Sequence, residues 1–170
     1  MGSCGSPPCR SALGAFGLGF IEEPIPADRP AAEWAELAML SLVPLAGGEN
    51  VPGFENFGAL INNGHHSVVQ PDMLKWGVVT GGYAVGRRAV ASGRSYCPHS
   101  LTATQILAAA GGSGLLEHDV MENPLREILA QPFPRVEDGL LPLPMRPGLG
   151  VDPDLQAASG WLLAKAEYRA

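Results

Sequence analysis

Basic residues and long apolar runs are scarce in this sequence. Lysine and arginine together number 11 against 17 acidic residues, which leaves a formal net charge of -6. Nucleic-acid binding needs a basic surface that neutralises phosphates, so the composition argues against that partner. No apolar run reaches the roughly 18 residues of a membrane-spanning helix, and glycines interrupt the apolar part of the amino terminus. We therefore expect a cytoplasmic protein with neither a nucleic acid nor a membrane as partner.

Cysteine is also scarce, and its three copies form no recognisable pattern. Cys4 and Cys9 could pair or bind a metal, although no matching group of His or Cys accompanies them. Cys97 lies inside a short apolar segment, which predicts a reduced thiol in the core.

Apolar segments that predict strands alternate with segments whose apolar spacing predicts helices. Pro30 marks one helix start, whereas Asn62, Asn63, Gly64 and Gly93 mark helix ends. The repeat of roughly 20 to 27 residues is the size of a βα unit, whose strands must be parallel. The pattern predicts an α/β barrel or an open α/β sheet. The strands are expected in "GLGFIEE", "PLAGGEN", "SVVQPD", "SYCPHS" and "GLLEHD", and the helices in "AAEWAELAMLSL", "FENFGALINNG", "GYAVGRRAVASG" and "TATQILAAAGG".

The repeat ends after Asp119, where a proline-rich region with at most one short helix begins. We expect three regions: an irregular segment over residues 1–16, a partial (β/α) barrel over residues 17–123, and a tail over residues 124–170. The tail is predicted to pack as loops on the barrel or on a capping domain that this chain lacks.

Each predicted strand delivers an ionisable side chain at its carboxyl end, where the loops of α/β barrels build their active sites. Because these groups recur with the βα unit, we expect them to converge on one rim. The alternative is that acidic residues follow strands only because loops are polar. The groups are Glu22 with Glu23, Glu49, Asp72, His99 and Glu117.

The segments "FIEEPIP", "LAGGEN", "VVQPDMLKWG" and "SYCPHSL", in this order and spacing, resemble barrel strands of the enolase superfamily, in particular its mandelate racemase subgroup. "LLEHDVMENPLR" and "RPGLGVDPD" resemble the last barrel strand and the tail of that subgroup. The resemblance covers about Gly17 to Gly160. It implies a partial TIM-like barrel of about five parallel strands that corresponds to the carboxyl-terminal half of the family's barrel.

The resemblance also implies a Mg²⁺ cofactor, with Glu22 and Glu49 at two of the family's metal-ligand positions. The ion stabilises the enediolate formed when a base removes the proton α to a substrate carboxylate. The implied partner is a small carboxylate, either a sugar acid or a 2-hydroxy acid. Glu23 would point the other way from Glu22 if the strand continues, so we expect it to lie outside the ligand set.

The same resemblance assigns catalytic roles to four residues. Asp72 matches the acid that orients a histidine on the next strand, which is His99, the base. Lys75 matches the lysine of a "KxGG" segment and is expected to pair with a metal-ligand carboxylate. Glu117 matches the acid that donates a hydrogen bond to the substrate carboxylate, which requires a raised pKa. The plainer alternative is a buried Asp that caps a loop and a His that packs on the barrel.

Other histidines and aromatic residues carry weaker signals. His65 and His66 lie between a helix stop and a strand, on the side opposite the predicted rim, and are expected to be solvated. His118 follows Glu117 and could line the pocket. The tryptophans are expected to serve packing and not substrate stacking. They are Trp34, Trp76 and Trp161.

Several features depart from the family pattern. Only Met1 to Phe16 precede the first recognisable strand, and these residues contain no acid and no lysine. We therefore expect a truncated chain without the capping domain, the first metal ligand and the "KxK" lysine base. Val78 replaces the second glycine of "KxGG". A half barrel would have to close differently, form a homo-oligomer, or be unstable alone.

The leading hypothesis is a Mg²⁺-dependent enzyme that dehydrates a sugar acid or racemises a 2-hydroxy acid, with dehydration favoured. The alternative is a catalytically incompetent fragment or pseudoenzyme that at most binds a divalent ion. A third hypothesis is a phosphate-binding barrel, in which Gly81 and Gly82 at a helix start would face the anion.

Overall fold

The computed structural model describes residues 13–73, 75, 79–99, 111, 114–164 and 166. The chain divides into two compact units, residues 1–118 and residues 119–170. Among the described residues, no helix has both the length and the hydropathy of a transmembrane segment. Several predictions fall outside the described residues: those for Cys4, Cys9, Trp76, Val78 and the helix in "TATQILAAAGG".

A parallel sheet forms the centre of the first unit. Its strands are β1 (Ile21–Glu22), β2 (Leu45–Gly47), β3 (Val68–Val69) and β4 (Ser95–Tyr96). The strands lie in chain order, and each pairs in parallel with the next. Parallel strands in sequential order need crossover helices, which the chain supplies between them. The predicted α/β class with parallel strands is thereby confirmed.

The helices begin and end close to the predicted signals. They are α1 (Ala31–Leu40), α2 (Phe57–Asn63), which follows a 3-10 turn at Phe54–Asn56, and α3 (Val79–Ala91). Pro30 lies at the amino-terminal cap of α1. Gly64 and Gly93 follow α2 and α3 with φ of 76° and 71°, a left-handed conformation that glycine adopts without a steric penalty.

Two buried prolines explain why β3 and β4 are shorter than predicted. Pro71 and Pro98 lie just after β3 and β4 and have no N–H to donate to a neighbouring strand. Their carbonyl oxygens still accept bonds, from the N–H groups of His99 at 3.0 Å and of Glu117 at 3.2 Å. Beyond the prolines, parallel bridges join Asp72 to His99 and His99 to Glu117. The predicted fifth strand therefore appears in the described residues as a single bridge at Glu117.

The core of the first unit lies between the sheet and helices α2 and α3. Its central cluster is fully or almost fully buried, and burial of such side chains stabilises the fold by about 1.5–3 kcal/mol each. The Tyr96 hydroxyl in this cluster donates to the Gly82 carbonyl oxygen at 3.0 Å, which satisfies a buried polar group. The cluster consists of Phe57, Ile61, Val69, Val85, Ala89 and Tyr96.

The second unit has little regular structure, as predicted for a proline-rich region. It contains α4 (Pro124–Leu129) and a 3-10 helix at Ala157–Trp161. The Asn123 side chain caps α4 by accepting from the Leu125 N–H at 3.1 Å. Trp161 is about half exposed. The expected packing of this region as a tail remains a prediction.

His66 is buried, so the prediction that it is a solvated surface residue is wrong. Only 7% of it is exposed, and its ring centroid lies 4.5 Å from that of Trp34. Trp34, on α1, is itself buried, which confirms its predicted packing role. Burial, together with the neighbouring His65, lowers the pKa of His66 to about 4. The position of His66 after a helix stop suggested exposure, but a distant helix covers it.

Burial of neutral His66 should make the free energy of unfolding depend on pH. Its pKa is about 6.5 when unfolded and about 4 when folded. The contribution of His66 to the free energy of unfolding is therefore fully present above pH 6.5. It is lost as the pH falls towards 4, by on the order of 2 kcal/mol. Urea unfolding at pH 7.5 and pH 4.5 should show this extra loss in the wild type and not in His66→Leu. A control variant, His65→Leu, should keep most of this loss, because burial is the larger cause of the lowered pKa. An equal loss in all three chains would contradict the prediction.

Candidate functional site

The carboxyl ends of the strands bring five ionisable side chains to one rim. Each of Glu22, Glu49 and Glu117 offers a carboxylate oxygen, and these oxygens all lie within 4.8 Å of one another. Glu49, Asp72 and His99 meet the same distance limit. All five residues were predicted for this rim from the spacing of the sequence. Glu49 belongs to both groups, so it lies where they meet.

Glu49 reaches the rim because the chain bends sharply at Gly48. The φ of Gly48 is 135°, a conformation that side chains with a Cβ rarely adopt. A Cβ at this position would also lie 3.0 Å from Cε1 of Phe57 and 3.1 Å from the backbone nitrogen of Gln70. Glycine therefore permits both the bend and the close approach of the chain to the next strand.

Glu23 does not continue the strand that Glu22 ends. Its φ is 34°, which breaks the alternation on which its predicted direction depended. Its side chain accepts a hydrogen bond from Nδ2 of Asn50 at 3.1 Å. Glu23 belongs to neither of the two groups that could hold a metal ion in the described residues.

Lys75 connects two of the strand ends. Its Nζ lies 2.8 Å from Oε1 of Glu49 and donates at 2.8 Å to Oδ1 of Asn50. Its backbone N–H donates to Oδ1 of Asp72 at 3.0 Å. The predicted contact between Lys75 and a carboxylate of the expected ligand set is thus present. Because Lys75 is exposed, solvent screens this ion pair.

His99 contacts Glu117 across the neighbouring bridge. Its Nδ1 lies 2.9 Å from Oε1 of Glu117, an ion-pair distance. Asp72 pairs with His99 on the other side through a parallel bridge, and its carboxylate belongs to the same group of ligand atoms. The imidazole is therefore flanked by two carboxylates. The role of Asp72 in orienting His99 remains a prediction.

The surroundings of His99 and Glu117 raise the pKa of both groups. Burial alone lowers the pKa of His99, but the contact with Glu117 and the charges of Glu49 and Asp72 outweigh it and raise it. Burial raises the pKa of Glu117; His99 opposes this effect, and the charges of Glu22 and Glu49 add to it. The predicted role of Glu117 as a hydrogen-bond donor requires a protonated carboxyl group. A raised pKa favours that form.

Gln70 is a residue of the site that the sequence prediction missed. It is fully buried, and its Nε2 donates to Oε2 of Glu22 at 3.1 Å and to Oε2 of Glu117 at 3.2 Å. One signal could have found it: Gln70 stands two positions before Asp72, and such residues share one face of a strand.

Cys97 and His118 complete the predicted residues in this part of the chain. Cys97 is buried and free, which confirms its predicted state as a reduced core thiol. Burial, with added repulsion from Glu117 and Glu22, raises the pKa of its thiol to about 12, so it stays protonated at neutral pH. His118 is partly buried and belongs to neither group of potential metal ligands in the described residues.

The donors at the rim fit a hard divalent cation. Mg²⁺ prefers oxygen ligands, chiefly carboxylates and water, and three carboxylates converge within 4.8 Å here. Cys97, the nearby thiol, belongs to neither group of potential metal ligands in the described part of the chain. The chemistry of the residues therefore agrees with the predicted cofactor.

Parallel strands in chain order, joined by helices and ending in a cluster of carboxylates, define an α/β protein of the type that forms barrel enzymes. The family comparison agrees with this class. The chain belongs to the enolase C-terminal domain-like family, whose model matches residues 9–158. The predicted resemblance to the enolase superfamily and its mandelate racemase subgroup is confirmed, and the similar proteins are enzymes.

The matches to individual relatives include most of this chain, but this chain spans less than half the length of each relative. Arabinonate dehydratase of Saccharolobus solfataricus is 31% identical over 144 residues, which is 81% of this chain and 38% of the relative. A solved mandelate racemase/muconate lactonizing enzyme from Bordetella bronchiseptica RB50 is 43% identical with a TM-score of 0.81, covering 90% of this chain and 45% of that chain. A solved enolase from Bradyrhizobium, complexed with magnesium and mandelic acid, is 26% identical with a TM-score of 0.76, covering 90% and 41%.

Proposed function

We propose that this chain carries the metal-binding and proton-abstracting residues of a Mg²⁺-dependent dehydratase for small sugar acids. The observation that supports this most is the shared position of Glu49. Its carboxylate lies within 4.8 Å of ligand atoms of Glu22 and Glu117 on one side and of Asp72 and His99 on the other. Cation ligands and a candidate base are therefore neighbours.

Glu22 and Glu49 would hold the cation, since they stand at the ends of adjacent parallel strands. When bound, Mg²⁺ neutralises negative charge that develops on the substrate carboxylate as the α proton leaves. Lys75 would fix the carboxylate of Glu49, because its ammonium group lies 2.8 Å from Oε1.

His99 would accept the α proton of the substrate. A base works best when its pKa lies near the operating pH, and the flanking carboxylates raise the pKa of His99 against the effect of burial. Asp72, beside His99, would hold the ring in one orientation and stabilise the charged imidazolium. Glu117, with its raised pKa, would supply a proton donor to the substrate carboxylate.

Dehydration follows when the hydroxyl group on the neighbouring carbon leaves. The C–O bond breaks, its electron pair leaves with the oxygen, and the protonated His99 would return its proton to that oxygen to form water. The remaining enol then becomes a 2-oxo acid. Arabinonate dehydratase, which is 31% identical, supports this class of substrate, and the mandelic acid complex of the Bradyrhizobium protein supports a 2-hydroxy acid as the second class.

Loss of the α-proton signal in ²H₂O tests the proposal, because both exchange with solvent and dehydration remove that proton from the substrate. The chain should be incubated with arabinonate or with mandelate, each with MgCl₂ or with EDTA. We expect a Mg²⁺-dependent loss of the α-proton signal of arabinonate, with formation of a 2-oxo acid. If mandelate is racemised and arabinonate yields no 2-oxo acid, the proposed reaction is a racemisation and not a dehydration.

Calorimetric titration with Mg²⁺ separates the remaining outcomes. Binding of Mg²⁺ with neither proton exchange nor formation of a 2-oxo acid would overturn the enzymatic proposal in favour of a binding-only protein. A chain that binds no Mg²⁺ would overturn the metal site as well.

A further inference from the structure

Gln70 lies at the centre of a continuous line of contacts through the rim. Its amide nitrogen donates to Glu22 at 3.1 Å and to Glu117 at 3.2 Å. The other oxygen of Glu117 lies 2.9 Å from Nδ1 of His99. The line therefore runs from Glu22 through Gln70 and Glu117 to His99, and it joins side chains from four strand ends.

The orientation of the Gln70 amide has a clear physical cause. Both hydrogens of Nε2 are directed at carboxylate oxygens, and hydrogen bonds to charged acceptors are stronger than those between neutral groups. Oε1 is buried and has no hydrogen-bond partner within the part of the chain that the structure describes, which is unfavourable. The two donated bonds must therefore outweigh the unsatisfied oxygen. A side chain that served packing alone would not need an amide here.

We propose that Gln70 is a positioning residue for both halves of the site. By holding Oε2 of Glu117, its amide turns Oε1 of that carboxyl group towards His99. By holding Oε2 of Glu22, it keeps that carboxylate in the group that contains Glu49. Only the second effect depends on the proposed function, because only it concerns the cation.

The first effect can be measured on the chain without added metal. In ¹⁵N NMR spectra, Gln70→Met should move the ring-nitrogen signals of His99. The effect is indirect, because Gln70 reaches His99 through the carboxyl group of Glu117. Methionine keeps the length of the side chain and removes both donors. The signals of His65, which precedes the amino-terminal end of β3, should not move. Gln156→Met, which changes an exposed glutamine of the second unit, should leave His99 unchanged.

A second measurement leaves position 70 intact and applies even if Gln70→Met does not fold. Glu22→Gln and Glu117→Gln should each shift the side-chain amide signals of Gln70, and each should affect a different hydrogen. If neither variant moves these signals, the amide does not hold the two carboxylates and the proposal is overturned. The same conclusion follows if a folded Gln70→Met leaves the His99 signals in place.

The cation effect is measured by titration with MgCl₂. Loss of a group that orients a metal ligand commonly weakens affinity about 10- to 100-fold, so Gln70→Met should raise the Kd for Mg²⁺ about tenfold or more. Gln156→Met should leave it unchanged. Equal affinity of Gln70→Met and wild type would overturn the positioning of Glu22. Absence of Mg²⁺ binding by the wild type would instead overturn the proposed function and this cation effect together, while the ¹⁵N result would still decide the contact with His99.

Discussion

His99→Asn should reduce the Mg²⁺-dependent exchange of the substrate α proton by about 10³-fold, in the middle of the range for loss of a general base. Asparagine fills part of the same volume and can still form hydrogen bonds, but its amide does not accept a proton at neutral pH. Two carboxylates flank the imidazole, and they favour the charged form that arises when the proton arrives. The initial rate at which the ¹H NMR signal of the arabinonate α proton disappears, through exchange or through dehydration, gives the measurement.

Two controls separate a loss of chemistry from a loss of structure. His65→Asn changes a histidine outside the rim and should keep the wild-type exchange rate. The affinity of His99→Asn for Mg²⁺ should stay within about threefold of wild type, because carboxylates supply the expected ligands. A loss of exchange below about tenfold would show that His99 is not the base.

Glu49→Gln should weaken Mg²⁺ binding by about 100-fold or more, which corresponds to about 2.8 kcal/mol. Glu49 is the one carboxylate that belongs to both groups of ligand atoms in the described residues. Replacement by glutamine keeps the shape but removes the charge, and a neutral amide oxygen is a poorer ligand for a hard cation than a carboxylate. Titration calorimetry of the two chains with MgCl₂ gives the two dissociation constants.

Glu36→Gln is the matched control for this variant, because it removes an exposed carboxylate from α1. Its dissociation constant should equal that of the wild type. If Glu49→Gln and Glu36→Gln bind Mg²⁺ equally well, the cation site does not include Glu49. A wild-type affinity in Glu49→Gln together with normal proton exchange would also reject the proposed mechanism.

The order of the elements and the convergence of the strand ends could be predicted because both depend on local signals. Apolar segments at βα spacing specify parallel strands, and Gly64 and Gly93 end helices because they adopt the left-handed conformation after the last turn. Once the strands are parallel and sequential, their carboxyl ends must share an edge. The proximity of Glu22 to Glu49 follows from that geometry without knowledge of any side-chain contact.

The contacts of individual side chains could not be predicted in this way. The burial of His66 depends on Trp34, which is distant in the chain, and no local pattern carries that information. Gln70 was overlooked because a glutamine in a strand has no ordinary role in metal or acid–base chemistry. The short length of β3 and β4 has a local cause, since Pro71 and Pro98 lack the N–H that a ladder needs.

The bend at Gly48 limits how this chain could be made more stable. Replacing glycine by alanine often stabilises a protein by about 0.4–1 kcal/mol, because the unfolded chain loses conformational freedom. At Gly48 a new methyl group would meet a phenyl ring and the neighbouring backbone, in a conformation that alanine rarely adopts. A substitution that lowered the entropy of the unfolded chain at Gly48 would therefore also displace the carboxylate of Glu49.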